Sequence, residues 1–361
     1  MNVRINRRSF LYGAAAVAGA GYVAGGLGGS AAWGAAAPGG ARKQVMVAGK
    51  RVKVIDIHGH LVIPKSGDLL QGSGIKGEYP GNQIMGPDRL ARMDQRGIDM
   101  QAISINQYWW YPADRELAAK IVRVHDEGVA EWCKANSDRF VGLTSPALQH
   151  PDLAAEQLDY AVKTLGLRGA SIGGTVKGEV PSSEKYDPFW RKAEELQVPV
   201  FMHPTNADFI VEDKAFEGRG DLGNIVGNPF ETTLFLTKLI FDGTFDRFPR
   251  LKVCGAHAAG YLPSYLGRTE VTCDVRPNAR CANKKKPSEY LRSQIIADSM
   301  IFSDEGLRHM VAEMGPSQIV YGSDMPFNWP DTIDIIVNAK YLSNADKEAI
   351  LGGNLIKMLK I

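Results

Sequence analysis

Two histidines stand one residue apart at the end of a short apolar run, Val54-Ile55-Asp56-Ile57-His58-Gly59-His60. In a strand, residues i and i+2 point to the same side. His58 and His60 can therefore present both imidazoles to one cation, and neutral imidazole is the commonest metal ligand. Three more polar residues close apolar runs in the same way. His203 ends Val200-Phe201-Met202-His203, His257 ends Lys252-Val253-Cys254-Gly255-Ala256-His257, and Asp324 follows Ile319-Val320-Tyr321-Gly322-Ser323. Four of the seven histidines thus sit at strand ends, a placement core packing does not explain. Three imidazoles and a carboxylate suit Zn²⁺, with Mn²⁺ the alternative. The expected ligands are His58, His60, His203 and Asp324, with His257 beside them as an acid–base group. A fifth ligand or a second metal site is the other reading of His257. Gly169-Ala170-Ser171-Ile172-Gly173 carries no lysine or carboxylate to bridge two ions, which argues against a binuclear centre. His125, His150 and His309 fall on helical or loop segments and read as structural or surface residues.

Residues so far apart in the chain converge only if parallel strands gather their ends. From Gln44 onward, apolar runs alternate with helical patterns, as in repeated βα units. Eight strands are expected: Val52–His60, Ile98–Asn106, Phe140–Leu148, Gly169–Gly173, Pro199–His203, Leu251–His257, Met300–Ser303 and Ile319–Ser323. Helices are expected over Asp152–Leu165, with Asp152 as a candidate N-cap, and over Pro188–Leu196 and Phe230–Phe241. Residues 44–361 then form a single (β/α)₈ TIM-barrel catalytic domain, whose strand C-termini share one mouth. A doubly wound sheet lacks its usual marks, since no G-x-G-x-x-G follows the first strand and no Walker lysine is present. The Gly-rich segment from Pro64 to Gly86 reads as a long loop over the mouth. The cluster Tyr108-Trp109-Trp110-Tyr111 either packs the rim or lines a pocket for a planar substrate.

The 361 residues are 44% hydrophobic and 23% charged, which suits a globular catalytic chain. A net charge of +2 gives no case for nucleic acid, and Lys284-Lys285-Lys286 reads as a solvated loop. The four cysteines show no C-x-x-C spacing; Cys254 reads as a core residue, and Cys273 and Cys281 can pair in an oxidising compartment. Residues 1–41 are set apart as a twin-arginine signal: Asn6-Arg7-Arg8-Ser9-Phe10-Leu11, a weakly apolar Ala/Gly stretch, and small residues at Ala35-Ala36-Ala37. The expectation is export of a folded metalloenzyme to the periplasm by the twin-arginine machinery, with no membrane association after cleavage.

The motifs His58-Gly59-His60, His203-Pro204, Cys254-Gly255-Ala256-His257 and Gly322-Ser323-Asp324-Met325-Pro326-Phe327 together resemble the amidohydrolase-related family. Asn228-Pro229-Phe230-Glu231-Thr232-Thr233, Phe248-Pro249-Arg250-Leu251-Lys252-Val253 and Met93-Asp94-Gln95-Arg96-Gly97 resemble its aminocarboxymuconate-semialdehyde decarboxylase branch. The resemblance implies a TIM barrel, one metal ion and a homodimer. It assigns His58, His60, His203 and Asp324 to the metal and His257 to catalysis. Arg268 would hold a substrate carboxylate across the dimer, and Asp298 would lie near the site. The chain departs from the branch at Ala258-Ala259-Gly260, where several glycines are usual, at Thr205, where an aromatic is common, and before Arg89, where carboxylate-binding arginines are missing. The expected reaction is non-oxidative decarboxylation of an aromatic or unsaturated carboxylic acid, with Asp324 as the alternative proton donor to His257. Hydrolysis of a lactone, amide or ester needs the same ligands and is the alternative.

Overall fold

The structure, a computed structural model, describes residues 41–361 apart from 72, 74, 76–82, 107–109, 206, 208, 209 and 213. The expected signal segment, but for Ala41, lies outside the described residues, as do Tyr108 and Trp109.

Eight strands run in parallel: β1 (Ile55–His60), β2 (Met100–Ser104), β3 (Phe140–Gly142), β4 (Ala170–Gly173), β5 (Val200–His203), β6 (Val253–Gly255), β7 (Ile295–Asp298) and β8 (Ile319–Val320). β1 to β3 form one sheet and β4 to β8 another, each in chain order. Parallel bridges at Thr144↔Ala170 and Gly59↔Met325 join the two sheets at both edges. At the second seam Ile57 N–H donates to Tyr321 O at 3.0 Å and His60 N–H to Met325 O at 2.7 Å. The strands thus follow one another round a ring, as the TIM-barrel expectation requires.

Each strand is buried along its length, which is why the runs read as continuously apolar rather than alternating. A helix follows every strand: α1 (Pro87–Arg96), α2 (Arg115–Ala135), α3 (Pro151–Lys163), α4 (Asp187–Leu196), α5 (Asn228–Phe241), α6 (Leu266–Val275), α7 (Asp304–Met314) and α8 (Asn354–Leu359). Ile55, Met100, Val141, Phe201, Cys254, Ile296 and Val320 pack together with Leu355 and Leu359 of α8. This apolar interior leaves the strand C-termini to carry polar groups.

Several expectations are corrected. The seventh strand is Ile295–Asp298, not Met300–Ser303. Asp298 Oδ1 accepts Met300 N–H at 3.2 Å, Ile301 N–H turns back to Ser299 O at 2.8 Å, and Ser303 caps α7 through Gly306 N–H at 3.1 Å. That apolar stretch is therefore a turn leading into a helix cap. Asp152 is not an N-cap; it sits in the first turn of α3 and accepts both outer nitrogens of Arg115 at 2.9 and 2.7 Å. The expected loop from Pro64 to Gly86 begins with a helical turn at Pro64–Asp68. Cys273 and Cys281 are joined by a disulfide, and Cys254 is fully buried.

Candidate metal centre

The strand ends bring His58, His60, His203 and Asp324 together, as expected from the sequence. One ligand atom from each lies within 4.8 Å of the others, and all four side chains are buried. Imidazole centroids are separated by 4.8 Å for His58–His60, 4.7 Å for His60–His203 and 5.1 Å for His58–His203. Asp324 Oδ1 lies 2.9 Å from His60 Nε2 and 3.2 Å from His58 Nε2. Three imidazoles converging on one carboxylate, all shielded from water, are the donor set of a divalent cation, and the residues fit that ion.

The outer nitrogens orient the rings. His58 Nδ1–H donates to Asp298 Oδ2 at 2.7 Å, and His203 Nδ1–H donates to Pro204 O at 2.8 Å, so both rings turn Nε2 inward. Asp298 also accepts the backbone N–H groups of His257 at 3.0 Å and Ala258 at 2.8 Å. It therefore fixes the His58 ring and the His257 turn with one carboxylate. That turn is left-handed: φ is 54° at His257, 60° at Ala258 and 58° at Ala259. This explains why glycines are usual here. An alanine in this region costs about 1–2 kcal/mol, which the Asp298 hydrogen bonds help to offset. Gly260 follows at φ 63°, where a Cβ would lie 2.3 Å from Pro229 O. His257 keeps 16% side-chain exposure, with Nε2 3.8 Å from Asp324 Oδ2.

Burial and charge set the protonation of the metal-free cluster. Burial disfavours charge on His58, but Asp324 and Asp298 outweigh it and raise its pKa to about 10. Burial, joined by the charge on His58, lowers His60 to about 4 and pushes His203 well below its usual range. Asp324 is buried as well, yet His58, His257 and His60 hold it far below the ordinary carboxylate range. One proton thus sits on His58 between two carboxylates at neutral pH. This raised pKa stabilises the metal-free fold fully below pH 6.5, and the contribution is lost as pH rises through about 10. A ligating His58 must be neutral. Metal uptake at pH 8 is therefore expected to release about one proton per ion, with apparent affinity rising about tenfold per pH unit over this range. Calorimetric titration in buffers of differing ionisation enthalpy measures the release, and uptake without it would contradict the charge assignment.

Beneath the ligands runs a buried network. Asp56 accepts from Gln101 Nε2 at 2.6 Å, His58 N–H at 2.8 Å, Ser323 N–H at 3.0 Å and the Ser323 hydroxyl. It ties the strand of His58 to the segment of Asp324. Arg89 donates to Gln101 Oε1 at 2.8 Å and His60 O at 2.6 Å. Gln101 fills the space beside Gly59, where a Cβ would lie 2.3 Å from Gln101 Cδ. Gly59→Ala is expected to destabilise the fold by about 1–3 kcal/mol in urea unfolding. A double-mutant cycle with Gln101→Ala should show coupling between the two sites. Near His203, Glu231 Oε2 accepts Thr205 N–H at 2.7 Å and Ala207 N–H at 2.9 Å, holding the chain that leaves β5.

Arg268 is exposed on α6, outside the cluster. Trp110 and Tyr111 are buried; Trp110 Nε1–H donates to Ser145 O at 3.0 Å and the Tyr111 hydroxyl accepts Gly173 N–H at 3.1 Å. His125, paired with Asp126 at 3.1 Å, is structural as expected.

A family model described as amidohydrolase matches residues 55–361. The chain belongs to the amidohydrolase family. This amidohydrolase-family enzyme is 32% identical over 282 residues to 2-amino-3-carboxymuconate-6-semialdehyde decarboxylase of Dictyostelium discoideum, covering 76% of each chain. It is 30% identical over 287 residues to the gamma-resorcylate decarboxylase of a Rhizobium species, covering 76% of this chain and 86% of the relative. Among solved structures it matches a dihydroxybenzoic acid decarboxylase from Polaromonas with bound manganese. That match has a TM-score of 0.74 and 25% identity, over 86% of this chain and 97% of the other. In the amidohydrolase-family chain, Asp56, Gln101 and Arg89 are the site residues that strand-end reasoning passes over. The one signal of Asp56 and Gln101 is a carboxylate or amide inside an otherwise apolar strand, and Arg89, on α1, carries none.

Proposed function

We propose that this enzyme is a metal-dependent non-oxidative decarboxylase of an aromatic carboxylic acid. The observation that carries this reading is the buried His58, His60, His203 and Asp324 cluster with the partly open His257 ring beside it, in a chain whose curated relatives are decarboxylases. A bound divalent ion supplies a Lewis acid that orients and polarises substrate oxygens. We read the ion as Zn²⁺, with Mn²⁺ the alternative; the manganese in the Polaromonas structure supports the second. Metal analysis of the purified protein decides between them.

The chain's own groups handle the proton. His257 stands at the mouth and delivers the proton that replaces CO₂ on carbon. Asp298 holds the backbone of that turn, so the ring is presented from a fixed position. Asp324, held ionised by its histidine neighbours, keeps a negative charge 3.8 Å from His257 Nε2. Purified, metal-loaded enzyme given hydroxybenzoates should release CO₂. Acid release from lactones with no CO₂ from any carboxylic acid would overturn the reading.

We also propose that the enzyme works outside the cytoplasm as a homodimer, exported by the twin-arginine route. The paired arginines and the Cys273–Cys281 disulfide support export. Exposed Val271 and Val275 on the helix of Arg268, with exposed Tyr265 just before it, support a second copy docking there. Cell fractionation and native mass measurement test the two statements.

A further inference from the structure

One peptide group beyond β5 touches both a cation ligand and a buried carboxylate. Pro204 O accepts His203 Nδ1–H at 2.8 Å. The N–H at the other end of that peptide, on Thr205, donates to Glu231 Oε2 at 2.7 Å. The same oxygen accepts Ala207 N–H at 2.9 Å. Glu231 is 1% exposed and sits in the first turn of α5. Two features hold it there. Gly174 follows β4, and a Cβ at that position would collide with Glu231 Oε1 and Met202 Cε. Thr233, two residues on, donates to Pro229 O at 2.7 Å and accepts Tyr261 N–H at 2.7 Å, so the start of α5 is tied to the chain that leaves the His257 turn.

We propose that Glu231 is a positioning residue for the cation, acting on His203 through the Pro204–Thr205 peptide. It fixes the His203 ring and makes Nε2 a stronger donor to the ion. Asp298 does this for His58 by direct contact, and Glu231 does it for His203 one peptide removed. The cause is polarisation along a chain of hydrogen bonds. A carboxylate facing an amide N–H pushes electron density toward the carbonyl oxygen of the same peptide, which then accepts more strongly. A firmer hold on Nδ1–H raises the basicity of the ring as a ligand. Burial keeps water from screening the effect. A role confined to holding backbone would need no charge, because the amide oxygen of a glutamine accepts the same two N–H groups.

The inference rests on the cation of the proposed function and not on its reaction, so the ion is the readout. Zn²⁺ affinity is measured by chelator competition for wild type, Glu231→Gln and Thr233→Val, once melting curves show that each is folded. Glu231→Gln is expected to weaken Zn²⁺ by about tenfold, and Thr233→Val, which loosens the same helical turn without touching the peptide, by less than about twofold. In spectra of isotope-labelled histidine in the Zn²⁺-loaded protein, the His203 Nδ1–H resonance should move upfield in Glu231→Gln while that of His58 stays. If Glu231→Gln does not fold, Gly174→Ala takes its place, since the added methyl displaces the carboxylate with its charge intact; the same loss is expected. Unchanged affinity with an unmoved His203 resonance, or equal losses in the Glu231 and Thr233 variants, overturns the relay. Wild-type protein that takes up no Zn²⁺ overturns the relay and the proposed function together. Zn²⁺ uptake that weakens in Glu231→Gln, with no CO₂ from any acid, supports the relay and overturns the decarboxylase reading alone.

Discussion

Asp324→Asn is expected to strip the enzyme of its ion and stop turnover. Asparagine keeps the size of the side chain but not its charge. Asp324 is the one carboxylate of the four-residue cluster, with Oδ1 2.9 Å from His60 Nε2 and 3.2 Å from His58 Nε2. An amide there cannot neutralise a divalent ion held in a buried, low-dielectric pocket, where uncompensated charge is expensive. Metal affinity should fall by more than about 100-fold, beyond the 10- to 100-fold typical of losing a group that only orients a ligand. CO₂ release should fall with it, by about a thousandfold or more, since ion and proton chemistry are lost together. Metal content after dialysis, read beside circular dichroism, gives the answer. Asp298→Asn is the graded companion. It weakens the hold on His58 without removing a ligand, and belongs in the 10- to 100-fold range. A folded Asp324→Asn enzyme that keeps one ion per chain would remove this carboxylate from the metal site.

Much of this site was legible because function and burial mark the same places. Parallel strands buried on both faces read as unbroken apolar runs, so a histidine or aspartate closing such a run stands out. His58, His60, His203, His257 and Asp324 all carry that mark. Asp298 carries it too, at the end of Ile295-Ile296-Ala297. However, Met300-Ile301-Phe302 nearby is just as apolar, and strand position cannot be assigned from hydrophobicity when two short runs compete. What decided between them was the turn chemistry of Asp298 and the cap at Ser303, which exist only in three dimensions. Gln101, Arg89 and Asp56 were hidden for another reason. Their roles come from contacts between β1, β2 and the β8 segment, and nothing in the spacing of 56, 89, 101 and 323 announces them.

His257→Asn should separate chemistry from metal binding. The ring of His257 is not among the four that converge on the ion, and its position is set through its backbone N–H to Asp298 rather than through its side chain. Asparagine tolerates the left-handed φ of 54° at this position better than most residues, so the turn should survive the change. The variant should therefore retain about one ion per chain and an unfolding midpoint close to wild type. It should lose the proton delivery that the ring provides, a loss of about 10²- to 10⁴-fold in kcat. KM should move little, because the carboxylate still meets the cation. The pH profile is the sharper readout. A general acid must carry its proton to act, so a wild-type kcat that uses this ring as the acid has a limb falling toward high pH. In His257→Asn that limb should disappear, leaving a slow, flatter profile. A purely structural histidine would lower activity at every pH and leave the limb in place. Loss of the ion together with activity would instead make His257 a fifth ligand, its ring centroid lying 5.2 Å from that of His58 and 5.1 Å from that of His203.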